Sequence, residues 1–245
     1  MKILNKEGKE ITSEQEWLRI APPARKEFHW KKGRSAFELA HVWFEGEEVK
    51  VPIVLQNLLN SSKELHSIKL HTAFAEVETK LDNYGKGRVH DLLIRGTLNE
   101  QPVLISIEAK ADETFGEIIG KCIEQSSETS KLPIRIKLMA SALLEERVIY
   151  DLRYQLLHGV AGTLIEAQKQ GASVAIFIVH QFISNSNSQA AQKKNNADLD
   201  AFVSRLTHQT IRLTPGHLIG PVAVTGGATI PNNIPLYIGK IVSVV

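Results

Sequence analysis

The chain reads as an α/β protein with a mixed central sheet of about five strands flanked by helices. Three observations predict this. Two alternating, β-branched runs, Val89 to Ile94 and Val103 to Ile107, sit either side of a short polar break with Asn99 and Pro102, the pattern of a hairpin. An uninterrupted apolar run from Ser173 to Val179, preceded by Gly171, reads as a buried central strand. Around these lie segments with helical spacing, notably Phe37 to Phe44 and Ile149 to Gln170.

Composition narrows the class. The 245 residues, 43% hydrophobic and 23% charged, match an ordinary soluble globular chain with one sizeable core. No apolar run approaches the roughly 20 residues of a membrane span, so no membrane partner is expected. The start, MKILNKEGKEITSEQEW, has no apolar signal core, which argues against secretion. Cys122 is the single cysteine, which excludes an internal disulfide and a cysteine-based zinc site and suits a cytoplasmic location. A net charge of +2 neither requires nor excludes nucleic acid, because a local groove can concentrate its basic groups.

Residues 1–66 are expected to form an N-terminal helical extension packed on a core that spans 67–245 and ends in a strand. A short helix over Gln15 to Ile20 stops before Pro22 and Pro23. Basic and aromatic residues then interleave: Arg25, Lys26, Phe28, Trp30, Lys31, Lys32 and Arg34. They suit phosphate contact and stacking, or else a surface segment pinned by Trp30. Ser35 and Glu38 form a capping box for a helix through Phe44, ended by Gly46. Pro52 opens a helix from Ile53 to Leu59.

The stretch Ile68 to Asp82 fits a strand or a helix. As a strand, it puts Glu76, Glu78 and Lys80 on one face. Asn83, Gly85 and Gly87 turn the chain into the hairpin. After it, a helix from Phe115 to about Glu128 is expected, capped by Asp112 or Thr114, with Glu113 and Glu117 on its flank. Lys131 to Leu144 alternates basic and apolar residues, suggesting a short strand or a basic loop. His180 closes the central strand, where it either reaches the site or is a hydrogen-bonded structural imidazole. Ser184 to Asp198 is apolar-poor and reads as a flexible loop, with Lys193 and Lys194 as candidates for a DNA-facing flap. A short helix over Leu199 to Leu206 and a last strand over Leu236 to Val244 complete the chain.

Candidate chemistry sits inside the hairpin. Asp91 interrupts its first apolar run, and Glu108, Ala109 and Lys110 close its second. Glu108 and Lys110 share one face of a strand, and charges there are costly unless something requires them. Two carboxylates from adjacent strands are hard oxygen ligands of the kind Mg²⁺ takes, with waters filling the remaining positions. A neighbouring lysine can hold a water or stabilise charge growing on a phosphoryl oxygen. The alternative is an edge hairpin whose charges form a solvated ion-pair cluster.

His90-Asp91 followed by Glu108-Ala109-Lys110 resembles the PD-(D/E)xK nuclease superfamily, with His90 standing where the motif has proline. The similarity spans roughly residues 70–182. It implies a restriction-endonuclease-like fold and hydrolysis of DNA phosphodiesters with Mg²⁺ or Mn²⁺ as cofactor. It further implies that Asp91, Glu108 and the Ala109 carbonyl bind the metal. Lys110 would activate the water, and Glu78 would complete the set with Glu76 in reserve. Arg153 and Gln155 resemble a polar helix that orients phosphate in exonuclease-like branches, and Lys31, Lys32 and Arg34 are further nucleic-acid candidates. Homodimer formation and a role in prokaryotic defence or DNA repair are expectations from the resemblance alone. The competing expectation is a catalytically inactive nuclease fold that binds nucleic acid or protein.

Overall fold

A computed structural model describes residues 1–24, 29–45, 48–145, 148–184, 189–227 and 229–245. Its centre is one mixed sheet of eight strands, not about five. Across the sheet the order is β2 (Glu10–Ile11), β1 (Lys2–Leu4), β5 (Lys69–Thr79), β6 (Arg88–Leu98), β7 (Gln101–Lys110), β8 (Val174–Ile183), β10 (Leu236–Val244) and β9 (Leu218–Val222). β5, β6 and β7 run antiparallel, whereas β7 pairs parallel with β8 and β8 with β10. A separate two-stranded ribbon joins β3 (Phe44–Glu45) to β4 (Glu48–Val49).

The first 66 residues are not a purely helical extension, because β1 and β2 add two strands to the sheet. Their helices, α1 (Glu14–Ile20), α2 (Ser35–Trp43) and α3 (Ile53–Ser61), cover one sheet face. That layer buries Trp17, Leu39, Trp43 and Leu55 against Ala73, Leu92, Ile105 and Ile176. The opposite face is covered by α4 (Ile119–Glu124), α5 (Leu132–Leu144), α6 (Tyr154–Lys169) and α7 (Gln189–Thr207). Leu143, Leu156, Leu164 and Phe202 pack there against Leu93, Leu104 and Phe177. At about 25 cal/mol per Å² of apolar surface removed from water, these two layers are the main stabilising term.

Several local expectations give way to packing. Lys131 to Leu144 is helix α5, not strand or basic loop: Ile136, Met139, Ala140, Leu143 and Leu144 are buried at three- and four-residue spacing. The alternation of Ile134, Ile136 and Leu138 was too short to decide the period. The expected loop after β8 is mostly helix α7, whose buried stripe is Asn195, Leu199, Phe202, Val203 and Leu206. Part of that loop, residues 185–188, lies outside the described residues, as do Arg25, Lys26, Phe28 and Gly46. α4 is six residues long rather than running from Phe115 to Glu128. Ser35 makes no cap at α2, although Glu38 reaches back to accept the Gly33 N–H at 2.5 Å.

Among the described residues no helix is long and apolar enough to cross a membrane.

Candidate active site

The hairpin is regular at its turn and open at its far end. Asn99 and Glu100 both take positive φ, 48° and 67°, as a tight turn matching the twist of its strands requires. From there the β6–β7 ladder runs from Leu98–Gln101 to Leu92–Ile107. Beyond that pair, the Asp91 carboxylate takes over a main-chain donor: its Oδ2 accepts the Ala109 N–H at 2.8 Å. β7 continues past this point along β8, with Lys110 opposite Gln181.

Side-chain alternation slips at the same level. On β5, Ala73 and Ala75 join the α1–α3 core, so Val77 should follow, yet it packs on the opposite core with Phe74. On β6, Leu92 and Ile94 join the α1–α3 core, so His90 should as well. Instead its ring lies against Gly162 of α6 on the other face. The two residues between these switches are Glu76, with φ of 54°, and Asp91. Such a backbone costs about 1–2 kcal/mol for a non-glycine residue. Uniform alternation would send Glu76 and Asp91 to the α6 face; the slip instead lets both line a cavity shared with Leu39, Ala75 and Ala109 of the α1–α3 core.

A cavity of about 720 Å³ opens where the strands separate. Glu76, Arg88, Asp91, Glu108, Ala109, Lys110, Glu113 and Gln155 line one side. Glu108 is 1% exposed and is held on both oxygens. Its Oε1 accepts from Lys110 Nζ at 2.7 Å and Gln155 Nε2 at 2.6 Å, and its Oε2 from the Arg88 guanidinium. A buried carboxylate this deep survives only because cations and hydrogen bonds replace its water. Lys110 Nζ also lies 5.5 Å from the Phe115 ring centre.

Burial pushes Glu76 up to about 8, assisted by the charge of Asp91 and opposed by Arg88. Burial lowers Lys110 from the usual lysine value, while Asp91 and Glu113 pull it back up. Burial works against the charge of Glu113, yet Lys110 and a hydrogen bond from Ser35 hold its carboxyl below the ordinary range. Beneath the site His90 bonds Ser106 Oγ at 2.7 Å and Thr79 Oγ1 at 3.2 Å. Burial and the Arg88 charge keep His90 and the neighbouring His158 neutral, well below the usual histidine value.

The structure thus brings together Asp91, Glu108, Ala109, Lys110 and Gln155. Glu78 is not among them: it is exposed and accepts the Gly87 N–H at 2.6 Å. The acid that lines the cavity is the reserve residue, Glu76. Arg153 is also elsewhere, buried and tied to Asp198 Oδ2 at 2.7 Å and to the Gly116 carbonyl. His180 bonds Ser243 Oγ at 2.8 Å within the sheet, and Glu117 pairs with Lys121 at 3.4 Å. Lys31 and Lys32 are exposed, Lys32 opening on a different cavity, and Arg34 pairs with Asp112 at 3.1 Å. Sequence reading passed over Arg88 and the N-terminal residues that complete the cavity, and placed Glu113 only on a helix flank. Arg88 had one available signal, a basic residue three positions before the acid at the mouth of an apolar strand.

The fit to a divalent cation is partial. Among the described residues no three His, Cys, Asp or Glu side chains form a ready-made metal cage. Glu76 and Asp91, however, lie close enough for the Asp91 charge to help raise the Glu76 carboxyl, and both are only partly exposed. Such a pair suits a hard cation that takes one or two carboxylates and completes its shell with water and substrate oxygens.

Fold and site define a mixed α/β protein with an acid–lysine cluster at the open end of a hairpin. The chain belongs to the family described as a domain of unknown function (DUF6946), whose model matches residues 10–244. No curated protein and no solved structure matches it significantly.

Proposed function

We propose that the protein is a metal-dependent nuclease with a restriction-endonuclease-like core, hydrolysing DNA phosphodiester bonds. The supporting observation is the meeting of Asp91, Glu108 and Lys110, from two strands, beside Glu76 at one cavity. Asp91 and Glu76 would hold Mg²⁺ or Mn²⁺, joined by the Ala109 carbonyl and by Glu108 once its Oε2 exchanges Arg88. A bound cation supplies Lewis-acid polarisation of the phosphate and a lowered pKa for its water.

Lys110 is placed to orient the attacking water or to donate to a phosphoryl oxygen as charge develops there. Glu108 positions that ammonium, and Gln155 fixes Glu108 in turn. The direct test is cleavage of labelled single-stranded and duplex DNA with Mg²⁺ or Mn²⁺. Activity is expected in wild type and abolished in Asp91→Asn. Equal cleavage by Lys110→Ala and wild type would contradict the role given to Lys110.

One observation favours a second reading, a non-catalytic binding module. Both oxygens of Glu108 are already engaged by Arg88, Lys110 and Gln155, an arrangement that also serves as a structural cluster. It predicts DNA binding unchanged by EDTA and no turnover.

A further inference from the structure

We infer that DNA enters this site unpaired, as a single strand or a strand end, because the chain's own N-terminal segment walls the cavity against a duplex. This rests on the phosphodiesterase reading above and narrows its substrate.

The reacting groups are deep. Glu108, Lys110 and Arg88 are 1%, 4% and 7% exposed. Duplex phosphates ride on the outside of a stiff rod whose persistence length is about 150 bp. A strand free of its complement reaches groups this buried with less distortion than a stiff duplex does. Extrusion of a nucleotide, or a strand already unpaired, provides that freedom.

The opposite wall is built from residues around α1 and α2. Ile20, Pro22, Pro23, Ala36 and Leu39 face the acids across the cavity. Trp17 and Trp43, 2% and 0% exposed, anchor these elements on the sheet, and consecutive prolines restrict the backbone between them. The cavity's 720 Å³ falls within the roughly 300–1,000 Å³ of pockets that surround small ligands. Apolar and proline side chains offer a surface for the face of one base, which is available only when that base is unstacked.

Charge points the same way. The described lining residues carry three cations, Lys6, Arg88 and Lys110, against five acids, Glu7, Glu76, Asp91, Glu108 and Glu113. Proteins that hold duplex DNA neutralise a row of phosphates with lysine and arginine. The described lining is a mixed pocket rather than a basic track, which favours binding that draws on contact with a base.

Fluorescence anisotropy with a labelled oligothymidylate, alone and annealed to its complement with blunt ends, tests this in Ca²⁺ and in EDTA. The single strand is expected to bind at least about tenfold more tightly than the duplex. Ala36→Trp, which fills the wall side of the cavity, is expected to remove most of that preference. Pro22→Trp, on the half-buried rim, provides the same readout should the first variant not fold. Equal binding, tighter duplex binding, no binding of either, or a preference untouched by folded wall variants would overturn the inference. Cleavage with Mg²⁺ is a separate readout. Single-strand binding without turnover would count against the nuclease reading and leave the inference standing.

Discussion

The two ends of the β6–β7 hairpin are made from similar strand-forming residues and do opposite things. At the turn end every residue pairs across the ladder, and Leu104, Ile105 and Ile94 are fully buried on alternating faces. At the open end pairing stops at Leu92–Ile107, a carboxylate takes the next main-chain donor, and the buried residues are Arg88, His90, Glu108 and Lys110. The turn end is a stability device whose charged strand residue, Arg95, stays exposed. The open end gives up ladder hydrogen bonds and apolar burial to keep four polar groups desolvated together.

The comparison can be broken most severely at Glu108. Glu108→Ala leaves Arg88 and Lys110 buried without their counter-ion, so a loss of about 3–5 kcal/mol is expected in urea unfolding, along with all cleavage. Lys110→Ala removes one cation and a donor to the reaction. Its single-turnover rate should fall by about 10²–10³-fold, with a smaller stability change.

Gly162→Ala probes the packing that supports the open end, since a Cβ there would lie 3.1 Å from Arg88 Cγ and 3.2 Å from the His90 ring. A cost of about 1–3 kcal/mol is expected from overpacking, with reduced activity because both neighbours shift.

Glu76→Gln gives a slope rather than a step. The folded value of Glu76, about 8, lies above its ordinary 4.5. Its contribution is therefore fully present below pH 4.5 and lost as pH rises through 8. Wild type should lose stability across that window relative to the variant, and added Mg²⁺ or Mn²⁺ should restore it in wild type only. Melting temperatures from pH 4 to 9, with and without metal, check both. His90 and His158 have the opposite sign: neutral when folded, they cost stability as pH falls through the ordinary histidine value of 6.5.

The smallest effect is at the turn end. Glu100→Gly places glycine where φ is 67° and should stabilise by about 1 kcal/mol without touching activity.

Much of the open end was legible because strand patterning and charge are local. Alternation located both hairpin strands, and Glu108 and Lys110 stood out as charges closing an apolar run. The last strand and the helix from Ile53 were readable for the same reason. Glu76 against Glu78 was not. Uniform alternation puts both on one face, whereas the observed φ of 54° at Glu76 breaks the alternation just there. α5 and the first half of α7 were misread because short alternation and polar composition are weak local signals, whereas the helix expected over Leu199 to Leu206 is the second half of α7.

The sequence by itself determined an α/β protein with a hairpin carrying Asp91, Glu108 and Lys110, since period and charge depend only on nearby residues. Tertiary structure alone decided that the sheet has eight strands, that Glu76, Arg88 and Gln155 join the cluster, and that residues near α1 and α2 close over it. Those outcomes depend on contacts between segments tens of residues apart. Burial converts such contacts into free energy only after the whole sheet has formed.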